Sequence, residues 1–295
     1  MIHSYLRSVG FRNIKRSTDL YDMLEDVINH ADAQYAQENP EGNIFLECRR
    51  LVGENIGISV CGDFTDDNKF HMEYYYPYMI GEGITTEEEV EIERHVQKES
   101  YAGICDDVRL GVTLIFYIQN STEVLNERKK YGFFRSGRSV TIAGLAEYGK
   151  ILLPIKKSQK QIKQMQEKDN RRIQMIADAR DGDPTAIENL SLDEMDVYNK
   201  ISQRIKNEDL FTIVESTFMP AGVESDQYTI LGEILDCKKI ENYITEEELW
   251  RLSLCCNHVV FDICINEKDL LGEPQPGRRF RGRVWLQGKV NYKDI

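Results

Sequence analysis

The spacing of apolar residues changes character twice along the chain, and each change predicts a different kind of structure. From about Ser17, the residues Leu20, Met23, Leu24, Val27 and Ile28 recur at three- and four-residue intervals, the signature of one helix face. Ser17 or Thr18 supplies a hydroxyl cap. This helix is expected to end before Asn39-Pro40-Glu41-Gly42, a stop and turn signal. The period then shortens to that of strands over residues 43–51, 56–61 and 70–76, with 62–68, rich in Asp and Asn, as the hairpin between the last two. Residues 77–82 read as a bend and 84–94 as an acidic stretch opened by Thr85-Thr86. The run LGVTLIFYIQ, 110–119, is continuously apolar and β-branched and predicts a central strand. A last strand or pair, 139–142 and 150–155, is expected to close this unit.

The second change comes at residues 156–180, KKSQKQIKQMQEKDNRRIQMIADAR, where Lys, Gln and Arg dominate. Ile162, Met165, Ile173, Met175 and Ile176 leave only a sparse stripe, as in a solvated helix. A second helical start is read at Asp183-Pro184, and a third at Ser191 with Glu194 three residues on. From Asp209 the strand period returns over 211–218, 228–235, 248–254, 259–265 and 280–290, punctuated by turns. Five strands in the last ninety residues or so resemble a small barrel or sandwich. The expectation is therefore an α+β chain in three parts: residues 1–155 as a mostly antiparallel sheet with helices, 156–205 as a charged helical linker, and 206–295 as a small β-barrel-like domain.

The last of these strands holds the most informative pattern. After the rigid stretch Gly272-Glu273-Pro274-Gln275-Pro276-Gly277, the even positions Phe280, Val284, Leu286 and Val290 are apolar. The odd positions are Arg279, Arg281, Arg283, Trp285, Gln287 and Lys289. Period two sends these sets to opposite faces, so one face joins the core and the other is an arginine ladder bearing a tryptophan. Arg279, Arg281, Arg283, Trp285 and Gln287 are the candidate binding residues. A guanidinium beside an aromatic ring can hold a phosphate while the ring stacks a base or sugar. The alternative is intramolecular: the same face pairs with the rest of the chain.

Composition changes this picture in two ways. A formal charge of −13 argues against a whole-surface polyanion binder, so nucleic acid is disfavoured as a partner. No run approaches the ~18 apolar residues of a membrane span, and the first residues lack a secretory apolar core. A cytoplasmic chain without membrane attachment is expected. The seven scattered cysteines, with no CxxC pair, agree with a reducing compartment.

Asp63, Asp66, Asp67 and Asn68, and Asp106-Asp107, could hold a hard cation, but the calcium-loop spacing is missing and these residues form ordinary turns. Cys105 with His95 and a neighbouring carboxylate has the residue types of a thiolate catalyst without its flanking signature. No GxGxxG or GxxxxGK[ST] occurs, so no cofactor is expected. Tyr74, Tyr75, Tyr76 and Tyr78 crowd one strand, as core packing or as an aromatic contact face.

Several long stretches carry a resemblance: HSYLRSVGF, ESYAGICDDVRLGVTLIFYIQN, EDLFTIVESTFMPAGVESDQYTILGEI and INEKDLLGEPQPGRRFRGRVWLQG. On these the chain resembles, nearly end to end, a family of uncharacterised clostridial proteins of unknown function. The resemblance implies a cytoplasmic protein of a Gram-positive anaerobe and no established enzyme class. The expectation is a non-enzymatic interaction protein, binding a protein partner or a second copy of itself. Single-stranded nucleic-acid or nucleotide binding by the C-terminal barrel, and a carboxylate- or metal-dependent enzyme, are kept as alternatives.

Overall fold

The computed structural model describes residues 2–38, 42–64, 69–94, 100–107, 109–110, 112–155, 159–180, 182–186, 188–190, 192, 203, 209–222 and 225–292. A 3-10 helix, Ser4–Val9, opens the chain, and α1 (Ser17–Asn29) follows, burying Leu20, Leu24 and Val27; its cap position is Arg16, which makes no side-chain capping bond, so the hydroxyl cap expected of Ser17 or Thr18 is not formed. Next come β1 (Ala33–Glu38), β2 (Ile44–Gly53), β3 (Ile56–Phe64) and β4 (Phe70–Met79), which form an antiparallel sheet in chain order. Asn55 takes a left-handed conformation, φ 59°, in the tight turn between β2 and β3.

Two expectations are corrected here. The first helix stops at Asn29, and 33–38 is an edge strand paired with Ile44 to Arg49. Its sequence, AQYAQE, has no strong strand preference; pairing with β2 decides its state. The bend expected at 77–82 begins later, because β4 runs through Pro77 to Met79. Pro77 costs little there, as β4 is an edge strand.

The second sheet contains β5 (Glu91–Arg94), β6 (Tyr101–Asp106), β7 (Thr113–Ile118), β8 (Ser139–Leu152) and β9 (Thr217–Pro220). It also contains β10 (Gln227–Glu241), β11 (Glu248–Cys256), β12 (Val259–Asn266), β13 (Leu270–Leu271) and β14 (Arg279–Asn291). Helices α2 (Ser121–Tyr131) after β7, α3 (Gln159–Arg180) in the charged middle, and the short α4 (Leu210–Ile213) accompany it, and residues 184–186 and 188–190 are helical where a second start was expected. Residues 211–218 were expected as one strand; a helical turn occupies their start and β9 begins at Thr217. The helix expected from Ser191 lies mostly outside the described residues.

Five strands close into a barrel. β8 pairs with β12, β12 with β11, β11 with β10, β10 with β14, and β14 returns to β8. The β8–β12 contact is parallel, matching Asp262 with Ala143 through Ile265 with Ala146. β14 runs antiparallel to β8 from Arg279 opposite Leu152 to Asn291 opposite Ser139. β7, β6 and β5 continue outward as an apron from the far end of β14.

The strand expected to close the N-terminal unit is thus a barrel stave. Residues 139–142 and 150–155 were expected as one strand or a pair, and residues 139–152 form one continuous strand, β8, with Gly144 and Gly149 inside it. In a barrel this narrow those glycines are steric necessities. A Cβ at Gly144 would lie 2.4 Å from Val284 Cγ1, and one at Gly149 would lie 2.3 Å from the Phe280 ring. The even face of β14 is core as its period requires: Phe280, Val284, Leu286 and Val290 are fully buried.

Two buried glutamines join the sheets. Gln287 on β14 donates from Nε2 to the Pro77 carbonyl, 2.7 Å, and accepts from the Met79 N–H, 3.2 Å. Gln119, just past β7, donates to the Met79 carbonyl, 2.7 Å, and to Gln287 Oε1, 2.8 Å. Side-chain amides here do what a neighbouring strand's backbone does elsewhere, satisfying the buried edge of β4. Among the described residues, no helix is long and apolar enough to cross a membrane.

Candidate functional site

The odd face of β14 is covered by three different parts of the chain. At its start, Arg279 is buried and donates only to carbonyls: Leu153 at 3.1 and 3.0 Å, Val214 at 2.8 Å and Phe211 at 2.7 Å. Burial lowers its pKa from the ordinary arginine value. Two positions on, the Arg281 guanidinium lies 4.8 Å from the Phe211 ring centroid, and Lys150 approaches the same ring at 5.0 Å. α4 and the residues after it therefore lie across the first half of the ladder.

The second half meets other partners. Arg283 donates to Gln227 Oε1 at 2.6 Å. Trp285 is 6% exposed, its Nε1 donating to Asp226 at 2.7 Å. Its ring sits 4.8 Å from His3, 5.5 Å from Tyr5 and 5.3 Å from Tyr117, centroid to centroid. A base has no open indole face to stack on while the 3-10 helix is docked. His3 caps that helix, accepting the Tyr5 N–H on Nδ1, and burial among the rings holds its pKa down to about 4. Gln287 is the interior amide described above.

Below Trp285 lies a polar seam that sequence reasoning did not find. Glu47 on β2 is fully buried. Its Oε1 accepts from Arg49 at 2.9 Å, Ser59 at 2.7 Å and Tyr76 at 2.7 Å. Arg49 also donates to the Gln119 carbonyl, and its guanidinium lies 5.3 Å from the Tyr78 ring. The tyrosine-rich strand supplies this seam: Tyr76 and Tyr78 are buried, and Tyr76 packs on Tyr117 at 4.8 Å. Such a network gives the two sheets one register, because a slip strands a buried charge.

The other candidates come apart or become structural. Cys105 is buried, and desolvation, aided by Asp107 and Asp106, pushes its thiol up to about 12. Cys256 and Cys264 are likewise pushed up to about 12 by burial. These thiols stay protonated and poorly nucleophilic. Asp107 grips Arg109, which also donates to the carbonyls of Thr85 and His258, so this carboxylate staples three loops. Asp106 accepts from Thr113. His95, Asp66, Asp67 and Asn68 lie outside the described residues. Among the described residues, no group of three or more His, Cys, Asp or Glu could hold a metal ion.

A different surface stands out at the end of α2. That helix had no sequence signature, having little more than Val124 and Leu125 to bury. Its last turn reads Arg128-Lys129-Lys130-Tyr131, and Gly132, at φ 82°, caps it with an N–H to the Arg128 carbonyl at 2.7 Å. Phe134 turns inward against Tyr101, 5.5 Å away, with the Arg128 guanidinium at 4.5 Å. Phe133 is left 63% exposed and Tyr131 41% exposed. Lys130 lies 4.8 Å and Arg135 5.3 Å from the Tyr131 centroid. The signal was present in the letters RKKYGFFR, a cation and aromatic cluster in an acidic chain.

The chain is thus an α+β protein in which a four-stranded antiparallel sheet is pinned to a closed five-stranded barrel. Residues 6–288 match DUF3881, a domain of unknown function described from E. rectale, and the chain belongs to that family. The match runs from the 3-10 helix to β14 and takes in both sheets. No curated protein and no solved structure matches it.

Proposed function

We propose that the chain is a non-enzymatic cytoplasmic binding protein whose outward contact surface is the tip of α2, Lys129 to Phe133. In this reading Arg279, Arg281, Arg283, Trp285 and Gln287 form an internal docking face that holds the sheet, the 3-10 helix and α4 on the barrel. The observation that carries the reading is Phe133. Its ring stays 63% exposed although its neighbour Phe134 is anchored and the helix below is capped. The ring lies 6.5 Å from that of Tyr131, which faces Lys130 and Arg135, so exposed aromatic surface and cations meet at one helix end, a composition common at binding hot spots.

The test replaces Phe133 with a photoreactive phenylalanine analogue, and in a separate chain replaces Tyr243, which is 69% exposed at a remote turn. On irradiation in a cell extract, the chain labelled at 133 is expected to give a discrete adduct and the chain labelled at 243 none. Equal adducts at both positions, or none at 133, would overturn the assignment.

A further inference from the structure

The chemistry of the α2 tip goes further than exposure alone. Residues 121–138 contain Arg128, Lys129, Lys130, Arg135 and Arg138 against Glu123 and Glu127, a local charge of +3 in a chain of −13. Glu38 takes Lys129 at 2.7 Å, and Glu127 takes Arg135 at 3.3 Å. Lys130 and Arg128 make no ion pair among the described residues and are instead set against the rings of Tyr131 and Phe134. The tip therefore offers the Lys130 ammonium near an exposed aromatic ring, while Arg128 is turned to the inward Phe134.

The net negative charge of the chain does not forbid a polyanion here. At physiological salt a surface charge is screened beyond about 8 Å, so the local sign governs contact. Two features point to one class of polyanion. Phe133 can stack a base only if that base is unpaired, and the exposed Lys130, set against the neighbouring Tyr131 ring, supplies a cation for a backbone phosphate of the same strand. A bilayer anchor needs a broader apolar area than one phenylalanine and one tyrosine supply. On the reading that the tip is the contact surface, we propose that it binds single-stranded nucleic acid, with a base on Phe133 and flanking phosphates on Lys130 and on Lys129, which exchanges its exposed pair with Glu38 for the phosphate.

The test uses the full chain and fluorescently labelled single strands of about 12 nucleotides, RNA and DNA, read by anisotropy. With about two phosphates neutralised, affinity should fall about 7-fold between about 50 and about 200 mM salt. Phe133→Ala should weaken binding by at least ~5-fold and Lys130→Ala should reduce the salt dependence. Both side chains are exposed, and unchanged melting temperatures of the variants show that the fold is kept. Preference for RNA over DNA would assign the ribose hydroxyl a part in recognition; equal binding leaves phosphate and base as the whole contact. No binding at about 50 mM salt, binding unaffected by both substitutions, or equal binding to a duplex of the same length overturns the proposal. Failure of binding while the adduct at position 133 persists, on a protein or on an anionic vesicle, removes nucleic acid and leaves the contact surface standing. Loss of both removes the surface itself.

Discussion

Replacing Gln287 with Leu tests whether two side-chain amides hold the sheet to the barrel. The substitution keeps the volume and deletes three hydrogen bonds: to the Pro77 carbonyl, from the Met79 N–H, and from Gln119 Nε2. All of these groups are in the interior, so water cannot replace the amide without opening the interface. Each orphaned group costs about 1–3 kcal/mol. Gln119 still bonds the Met79 carbonyl and can turn in part, so the expected loss is about 3–6 kcal/mol, a large share of a typical ~5–15 kcal/mol. Urea unfolding followed by both tryptophan fluorescence and far-UV circular dichroism measures it, provided the two probes agree on one transition. Gln287→Glu sharpens the test. A carboxylate can still accept from Met79 but meets the Pro77 carbonyl with no proton to donate, so it should be worse than Leu at pH 7 and recover partly on acidification. A loss below about 1 kcal/mol for Leu would refute the idea that the amides replace a strand.

Four further outcomes follow from the same geometry. His3 is held neutral in the fold at about 4 against 6.5 when free, so the unfolded chain binds more protons between these values. Stability is then complete above about pH 6.5 and falls by up to about 3 kcal/mol as pH drops towards 4, and His3→Gln should flatten that part of the profile in urea titrations at stepped pH. Gly144→Ala drives a methyl to 2.4 Å from Val284 and should lower the melting temperature, by about 1–3 kcal/mol of stability; a change within about 0.5 kcal/mol contradicts the tight-barrel account. Arg279→Gln shortens the reach to Phe211, Val214 and Leu153, and limited proteolysis should then cut residues 209–216 faster; equal digestion rates would show that Arg279 does not hold α4. Native thiol labelling should be confined to the half-buried Cys237 and Cys255, and rapid modification of Cys105, Cys256 or Cys264 would contradict their burial.

The candidate site was legible in its letters and not in its surroundings. Period two on β14 separated Phe280, Val284, Leu286 and Val290 from the arginines and Trp285, and the core side followed as expected. Whether the other face met solvent or the chain itself depended on α4, Asp226 and the 3-10 helix, the last more than 270 residues away in sequence. The α2 tip shows the reverse case. Its cations and aromatics were visible, but only the inward turn of Phe134 singled out Phe133 as the exposed ring.

Local chemistry by itself determined most strand positions, the start of α1 and the inward face of β14. These depend on the spacing and alternation of apolar side chains within a few residues, which a sequence carries openly. Tertiary structure alone decided that AQYAQE is a strand, that the glycine-broken 139–152 is one continuous stave, and that β8 closes a barrel with strands more than a hundred residues later. In each of these the competing local states differ by little, and the free energy that selects one comes from pairing and burial with distant residues.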